Sequence, residues 1–151
     1  MKNIFDTADT EALLARLSKL NNKLHPHWGK LTVQQVVPHL TDPFRVAIGE
    51  KKVPMFKSIF ATPGFNQIVL RIMPWPKAAP TAQEFLPGTG ATEPTELEQD
   101  KQMLILTIHR FIQHGVNKKY DAHPVFGNIS NNAWARVMWR HVDHHLTQFG
   151  V

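Results

Sequence analysis

The chain has 151 residues, no cysteine, and 17 Lys and Arg residues against 12 Asp and Glu residues, for a formal net charge of +5. This length suits one domain spanning residues 1–151. The absence of cysteine excludes disulfides, thiolate metal ligands and a cysteine nucleophile. The basic residues are scattered and lack interleaved aromatic residues, so nucleic acid is not an expected partner.

The N-terminal segment lacks the apolar core of a secretory signal. The longest apolar run, residues 103–106, is too short to span a membrane. A cysteine-free chain also fits a reducing compartment. The sequence therefore predicts a cytoplasmic protein with no membrane partner.

Four segments carry the apolar periodicity of amphipathic helices. Leucines at helical spacing predict the first helix over residues 10–20. The second helix begins at Thr32, whose Thr-x-x-Gln pattern forms a capping box, and ends near Gly49. Pro38 and Pro43 lie inside it, and each removes a backbone hydrogen bond, so we expect a kink or a break there.

The third helix begins near Pro94, a favoured first helical position, and ends at Gly115. The fourth helix has Ser130 as its N-cap and ends at Gln148. Four such helices predict an all-α protein, an antiparallel up-down four-helix bundle with a long irregular crossover between helices 2 and 3.

The segment between helices 2 and 3 differs in composition. Residues 56–60 and 65–73 are apolar enough to form one or two short helices. Residues 73–94 are rich in proline, glycine and threonine, which predicts irregular backbone. A long irregular segment in a compact domain is usually functional or pinned across the surface. The crossover is therefore expected to be a lid over a site or a strap.

Nine histidines occur in the chain, and two of them share a face of the fourth helix. At about 100° per residue, with Trp134 as zero, His141 and His145 fall within about 20° of the centre of the apolar stripe. His144 falls about 80° away, at the edge of that stripe. A histidine pair at positions i and i+4 can bind one metal ion. The alternative is a pair of buried histidines that bond to side chains or water.

A metal site with an open position needs a third protein ligand. His39 on the second helix is a candidate, but it falls about 120° from the centre of that helix's apolar stripe, and Pro38 disturbs the angle. His109 and His114 lie off the stripe of the third helix and are expected at the surface. His123 is expected to cap backbone groups in a loop.

Several motifs resemble those of a known superfamily. Residues 28–39, WGKLTVQQVVPH, resemble the start of the second helix in DinB-like (YfiT-like) proteins. Residues 141–145, HVDHH, followed by LTQ, resemble the motif of their last helix. Residues 76–85, 123–127 and 143–150 resemble one uncharacterised branch of that superfamily, so the resemblance covers nearly the whole chain.

The resemblance implies an antiparallel bundle in which His39, His141 and His145 hold one divalent metal ion, which is zinc, nickel or iron. It also implies either a hydrolase or an enzyme that transfers or isomerises with a low-molecular-weight thiol. Pro38 and Pro43 depart from the usual second helix of these proteins.

Three neutral imidazoles would leave the charge of such an ion uncompensated and one coordination position open. The sequence therefore predicts a mononuclear metal-dependent enzyme that hydrolyses a small molecule. One alternative is a transferase with a low-molecular-weight thiol as cosubstrate, since the chain has no cysteine. Another is a non-catalytic module that binds a metal or ligand. A homodimer is one expected assembly.

Acidic residues near the predicted site offer no clear general base. Asp42, three residues after His39, is a weak candidate for a catalytic base or for an acceptor that orients that imidazole. The alternative is a carboxylate that faces solvent. Glu84 is a weaker candidate, and Asp143 is expected at the surface. His144 is expected to support a ligand, contact substrate or lie at the surface, without binding the metal.

Overall fold

The structure, a computed structural model, describes residues 1–62, Lys77 and residues 81–151. In this part of the chain the fold consists of four α-helices and no strand, which confirms the predicted all-α class. The described residues between the second and third helices include two short 3₁₀ turns. The helices are α1 Thr7–Leu17, α2 Val33–Ala47, α3 Leu97–Asn117 and α4 Asn131–Gln148.

Side-chain caps set the first residue of three helices. The predicted capping box of α2 is present, with Gln35 N donating to Thr32 Oγ1 at 3.3 Å and Thr32 N donating to Gln35 Oε1 at 3.0 Å. Ser130 Oγ accepts from Ala133 N at 3.2 Å, as predicted for α4. Asp6 accepts from Asp9 N, so α1 begins three residues earlier than the leucine pattern indicates.

The start of α3 also differs from the prediction. It begins at Leu97 rather than near Pro94, because Asp100 accepts hydrogen bonds from the backbone N–H and the hydroxyl of Thr95 at 2.9 and 2.7 Å. These bonds hold the residues before Leu97 in extended backbone. The helix continues two residues beyond Gly115, to Asn117.

Both internal prolines lie within one continuous helix, so α2 does not break at Pro38 or Pro43. An internal proline costs about 3 kcal/mol of helix stability. Burial of Val37, Leu40 and Phe44, all fully inaccessible to solvent, stabilises α2 by roughly 1.5–3 kcal/mol per side chain. Tertiary packing therefore outweighs the loss of two backbone hydrogen bonds.

The core lies where α2 and α4 meet the other helices. α2 packs chiefly against α3, and α4 packs against both α1 and α2. Phe111 of α3 stacks on Tyr120 with ring centroids 4.3 Å apart and meets Phe44 edge-on at 5.2 Å. Trp134 and Met138 of α4 are fully buried in the same core. The contact between α2 and α4 places the histidines of the two helices on facing surfaces.

The segment between α2 and α3 is partly described. The short helix expected around residues 56–60 is a 3₁₀ turn, Ile59–Ala61. The one expected at residues 65–73 lies outside the described residues. In the crossover, Gln83–Phe85 forms a second 3₁₀ turn. None of the described helices combines the length and apolarity needed to span a bilayer.

His123 organises the loop before α4. Its Nδ1 accepts from the backbone N–H groups of Val125 and Phe126 at 3.1 and 3.3 Å, which confirms the predicted capping role. Its ring packs 4.4 Å from the ring of Trp134. Burial lowers the pKa of His123 to about 3, so the ring is neutral at neutral pH.

This loop predicts how acid destabilises the fold. In the unfolded chain the pKa of His123 returns to about 6.5, so the unfolded state binds more protons than the folded state between pH 6.5 and 3. The neutral His123 ring therefore contributes stability above pH 6.5, and the free energy of unfolding decreases as the pH falls from 6.5 towards 3. His123→Asn keeps an oxygen acceptor for the same N–H groups and removes the titration.

We expect the free energy of unfolding to fall by about 2 kcal/mol less in His123→Asn than in the wild type between pH 7.5 and 5. Urea denaturation at the two pH values measures this difference. His109→Asn, at an exposed position of α3, is the matched control and should keep the wild-type dependence. An unchanged pH dependence in His123→Asn would contradict the buried neutral ring.

Candidate metal centre

Three histidines from two helices converge at the contact between α2 and α4. His39 Nε2 lies 3.1 Å from His141 Nε2. The ring centroid of His145 lies 4.9 Å from those of both His39 and His141. One ring nitrogen from each residue falls within 4.8 Å of the others. The structure thus brings together the three residues that the sequence analysis selected as metal ligands.

The helices explain this placement. His141 and His145 are one turn apart on α4, so their rings project from the same face. His39 is only 6% exposed although it lies far from the apolar stripe of α2. Its neighbours Pro38 and Leu40 are buried as well, because α2 is covered around most of its circumference. An apolar stripe is therefore a poor guide to which side of α2 faces the core.

The proton of His39 is located by its hydrogen bond. His39 Nδ1 lies 3.1 Å from the backbone oxygen of Phe85 in the crossover. A carbonyl oxygen only accepts, so Nδ1 carries the N–H and the lone pair is on Nε2, the atom that approaches His141. Burial lowers the pKa of His39, and the bond to Phe85 and the charge of Asp42 oppose that shift in part.

The other two rings are also held in the neutral form. Burial, together with the nearby His39, lowers the pKa of His145 to about 3. Burial, followed by the effects of His145 and His39, holds the pKa of His141 well below its ordinary value. Metal binding requires neutral imidazole, so these rings do not have to lose a proton at neutral pH before they bind.

The donor set fits a divalent transition metal. Imidazole nitrogen suits zinc, nickel and iron. Two nitrogens bound to one tetrahedral zinc ion lie roughly 3.3 Å apart, close to the separation between His39 and His141. Among the described residues, His39, His141 and His145 are the group of side chains spaced to hold an ion.

His144 lies beside this cluster. Its ring meets that of His145 at 88° with centroids 5.1 Å apart, and meets the indole of Trp28 edge-on at 5.7 Å. Burial lowers the pKa of His144, and the charge of Asp143 opposes that shift. The rotation of about 100° between neighbouring helix positions directs His144 towards Trp28 while His145 faces His39.

Asp42 is fully buried, so the alternative of a solvent-facing carboxylate is wrong. Its Oδ2 accepts from Lys51 Nζ at 2.5 Å and from Thr92 N at 2.9 Å, and its Oδ1 accepts from the Thr92 hydroxyl at 2.6 Å. Lys51 also donates to the backbone oxygen of Gly90 at 2.8 Å. Asp42 thereby pins the crossover to α2, while Phe85 supplies the acceptor for His39. A role for Asp42 as base stays a prediction.

The remaining predicted positions are peripheral. Glu84 is half-buried in the Gln83–Phe85 turn. Asp143 pairs with Arg16 at 2.5 Å, and its side chain is 36% exposed, in agreement with the expected surface position. His109 is exposed as expected, whereas His114 is half-buried and stacks on Tyr120 with centroids 5.5 Å apart.

Sequence reasoning missed both acceptors that orient the cluster. Gln148 Oε1 lies 2.8 Å from His145 Nδ1. Gln148 follows His145 by three residues on the same helix, and this spacing could have indicated the contact. The Phe85 oxygen belongs to the backbone of an irregular segment, so no side-chain type marks it.

The chain matches one known family. A family model described as "Protein of unknown function (DUF1569)" matches residues 2–150. No curated protein and no solved structure matches the chain. The family match supports the expected uncharacterised domain, whereas membership of the DinB-like superfamily stays a prediction.

The buried carboxylate leads to a prediction about stability. Asp42→Ala leaves the ammonium of Lys51 and the N–H of Thr92 without their acceptor, so we expect it to lower the free energy of unfolding by about 3 kcal/mol. Asp121→Ala is the matched control, because Asp121 and its partner Lys52 have side chains that are 55% and 82% exposed. We expect that control to change stability by about 0.5 kcal/mol or less. Chemical denaturation measures both, and equal losses would contradict the structural role of Asp42.

Proposed function

Since the chain belongs to the DUF1569 family of proteins of unknown function, we propose from its site that it is a mononuclear metal-dependent enzyme that hydrolyses a small molecule. The observation that carries this proposal is the 3.1 Å approach of His39 Nε2 to His141 Nε2, with His145 in the same cluster. Three neutral basic rings packed against one another, one buried and two half-buried, fit a shared cation. His39, His141 and His145 would hold the ion, which we propose to be zinc, nickel or iron.

The chemistry follows from the donor set. With three neutral ligands and an open position, the ion would act as a Lewis acid that polarises a substrate carbonyl and makes a water molecule more acidic. The residues of the chain supply the rest. The oxygen of Phe85 and the amide of Gln148 orient two of the rings, and the buried side chains of α2 and α4 limit the access of water.

Two neighbouring side chains have proposed roles around this centre. His144, beside His145, would contact the substrate or exchange a proton with it. Burial lowers the pKa of His39, and Asp42 would act through its negative charge, which opposes part of that shift, while its oxygens stay bonded to Lys51 and Thr92.

The reaction type is tested by incubating metal-loaded protein with simple esters and amides, with and without a low-molecular-weight thiol. We expect turnover without thiol that is lost on chelation and in His141→Ala. If turnover requires added thiol, the protein is a thiol-dependent transferase and the proposal of a hydrolase is wrong. Tight metal binding with no turnover would favour the non-catalytic binding module. Light scattering in the same samples tests the homodimer.

The ligand set is tested by measuring metal per chain in protein purified without a histidine tag. We expect His145→Ala and His39→Ala to lose the metal as completely as His141→Ala, because a catalytic site needs all three protein ligands. His144→Ala is the matched control, since it removes an adjacent imidazole from the same helix, and it should retain close to one ion per chain.

Two results would contradict this assignment. Loss of metal in His144→Ala with retention in His145→Ala would show that the other face of α4 carries the ligand. Unchanged metal content in His39→Ala would show that a residue other than His39 is the third ligand. Thermal unfolding of each variant separates loss of a ligand from loss of the fold.

A further inference from the structure

Gln148, the last residue of α4, lies between the candidate metal centre and the loop at Trp28, which is 120 residues away in sequence. It is only 3% exposed. Its Oε1 lies 2.8 Å from His145 Nδ1, and its Nε2 donates to the backbone oxygen of Trp28. Both polar atoms of this buried amide are therefore bonded, one towards the cluster and one towards the loop that precedes α2.

The partners of Gln148 dictate the orientation of its amide. The backbone oxygen of Trp28 only accepts hydrogen bonds, so the amide nitrogen must face it and the amide oxygen must face His145. An amide oxygen also only accepts, so His145 Nδ1 must carry the proton. A neutral imidazole has a single N–H, which leaves the lone pair of His145 on Nε2.

The loop is shaped around this amide. His27 N donates to the backbone oxygen of Gln148 at 2.8 Å, which ties the loop to the end of α4. Gly29 has a φ of +81°, and a Cβ at this position would overlap Gln148 Nε2. Glycine alone provides both this backbone conformation and the space for the amide.

We propose that Gln148 is a positioning residue that fixes the tautomer and ring orientation of His145, and so sets the affinity of the centre for metal. The inference rests on the proposed function, in which His145 is a ligand. Hydrogen-bond acceptors behind metal-binding histidines orient the ring and raise its basicity. Gln148 is neutral, so it orients His145 without adding negative charge to the site.

Two substitutions separate the two bonds of the amide. Gln148→Met removes both the acceptor for His145 and the donor for Trp28. Gln148→Glu also removes the donor, but it keeps an oxygen acceptor for His145 Nδ1–H. Gln102→Met, at an exposed position of α3, is the control for the same change away from the site.

The first readout is the dissociation constant for Zn²⁺, measured by competition with a chromogenic chelator. We expect Gln148→Met to weaken binding by about 10- to 100-fold. Gln148→Glu should bind Zn²⁺ as tightly as the wild type or more tightly, and Gln102→Met should be unchanged. Equal weakening in the Met and Glu variants would assign the effect to the bond with Trp28 and overturn the proposal.

The second readout is the tautomer of His145 in the metal-free protein, from ¹⁵N-detected histidine NMR. We expect the proton on Nδ1 in the wild type and in Gln148→Glu, and loss of that preference in Gln148→Met. A proton on Nε2 in the wild type would overturn the proposal even if the Met variant did not fold. Because this readout needs no metal, it also separates failure of this inference from failure of the proposed metal site.

Discussion

The rest of this site depends on the close packing of three neutral basic rings between two helices. His39, His141 and His145 lie within reach of one another in a region that disfavours positive charge, so each stays neutral. A neutral imidazole has one N–H and one lone pair, and a buried N–H needs an acceptor. For His39 and His145 the acceptors are the Phe85 oxygen and the Gln148 amide. Both bonds leave the lone pair on Nε2, the nitrogen through which a metal ion would be held.

This requirement connects the centre to segments far from it in sequence. The Phe85 oxygen accepts from His39 only if the crossover stays in place beside α2. The buried Asp42 of α2 keeps it there through its hydrogen bonds with Lys51 and Thr92. A buried ion pair of this kind contributes little net stability compared with an apolar substitute. Its hydrogen bonds nevertheless join the crossover to α2 next to the centre. Gln148 has the same effect at the other end, where it joins α4 to the loop at Trp28.

The chain belongs to a family of unknown function, matched over residues 2–150, and the donor set of the three-histidine centre indicates the chemistry open to it. The chain has no cysteine, and a donor set made only of histidines suits zinc, nickel or iron. Neutral imidazoles would leave the positive charge of such an ion uncompensated. Neutral acceptors behind two of the rings preserve that charge. These features support the proposed Lewis-acid role over a structural metal site, which is normally closed by four protein ligands.

The sequence by itself determined the features that depend on near neighbours. These are the four helices, the caps at Thr32 and Ser130, the backbone-capping role of His123 and the shared face of His141 and His145, because helix geometry and capping act over a few residues. The approach of His39 to His141 joins residues 102 apart in the chain, and its bond to Phe85 joins residues 46 apart. The resemblance to DinB-like proteins implied His39 as a ligand, whereas the periodicity of α2 pointed it away from the core. Only the tertiary structure decided its position, because α2 is covered by α3, α4 and the crossover together, and no local pattern records which segments will cover a helix.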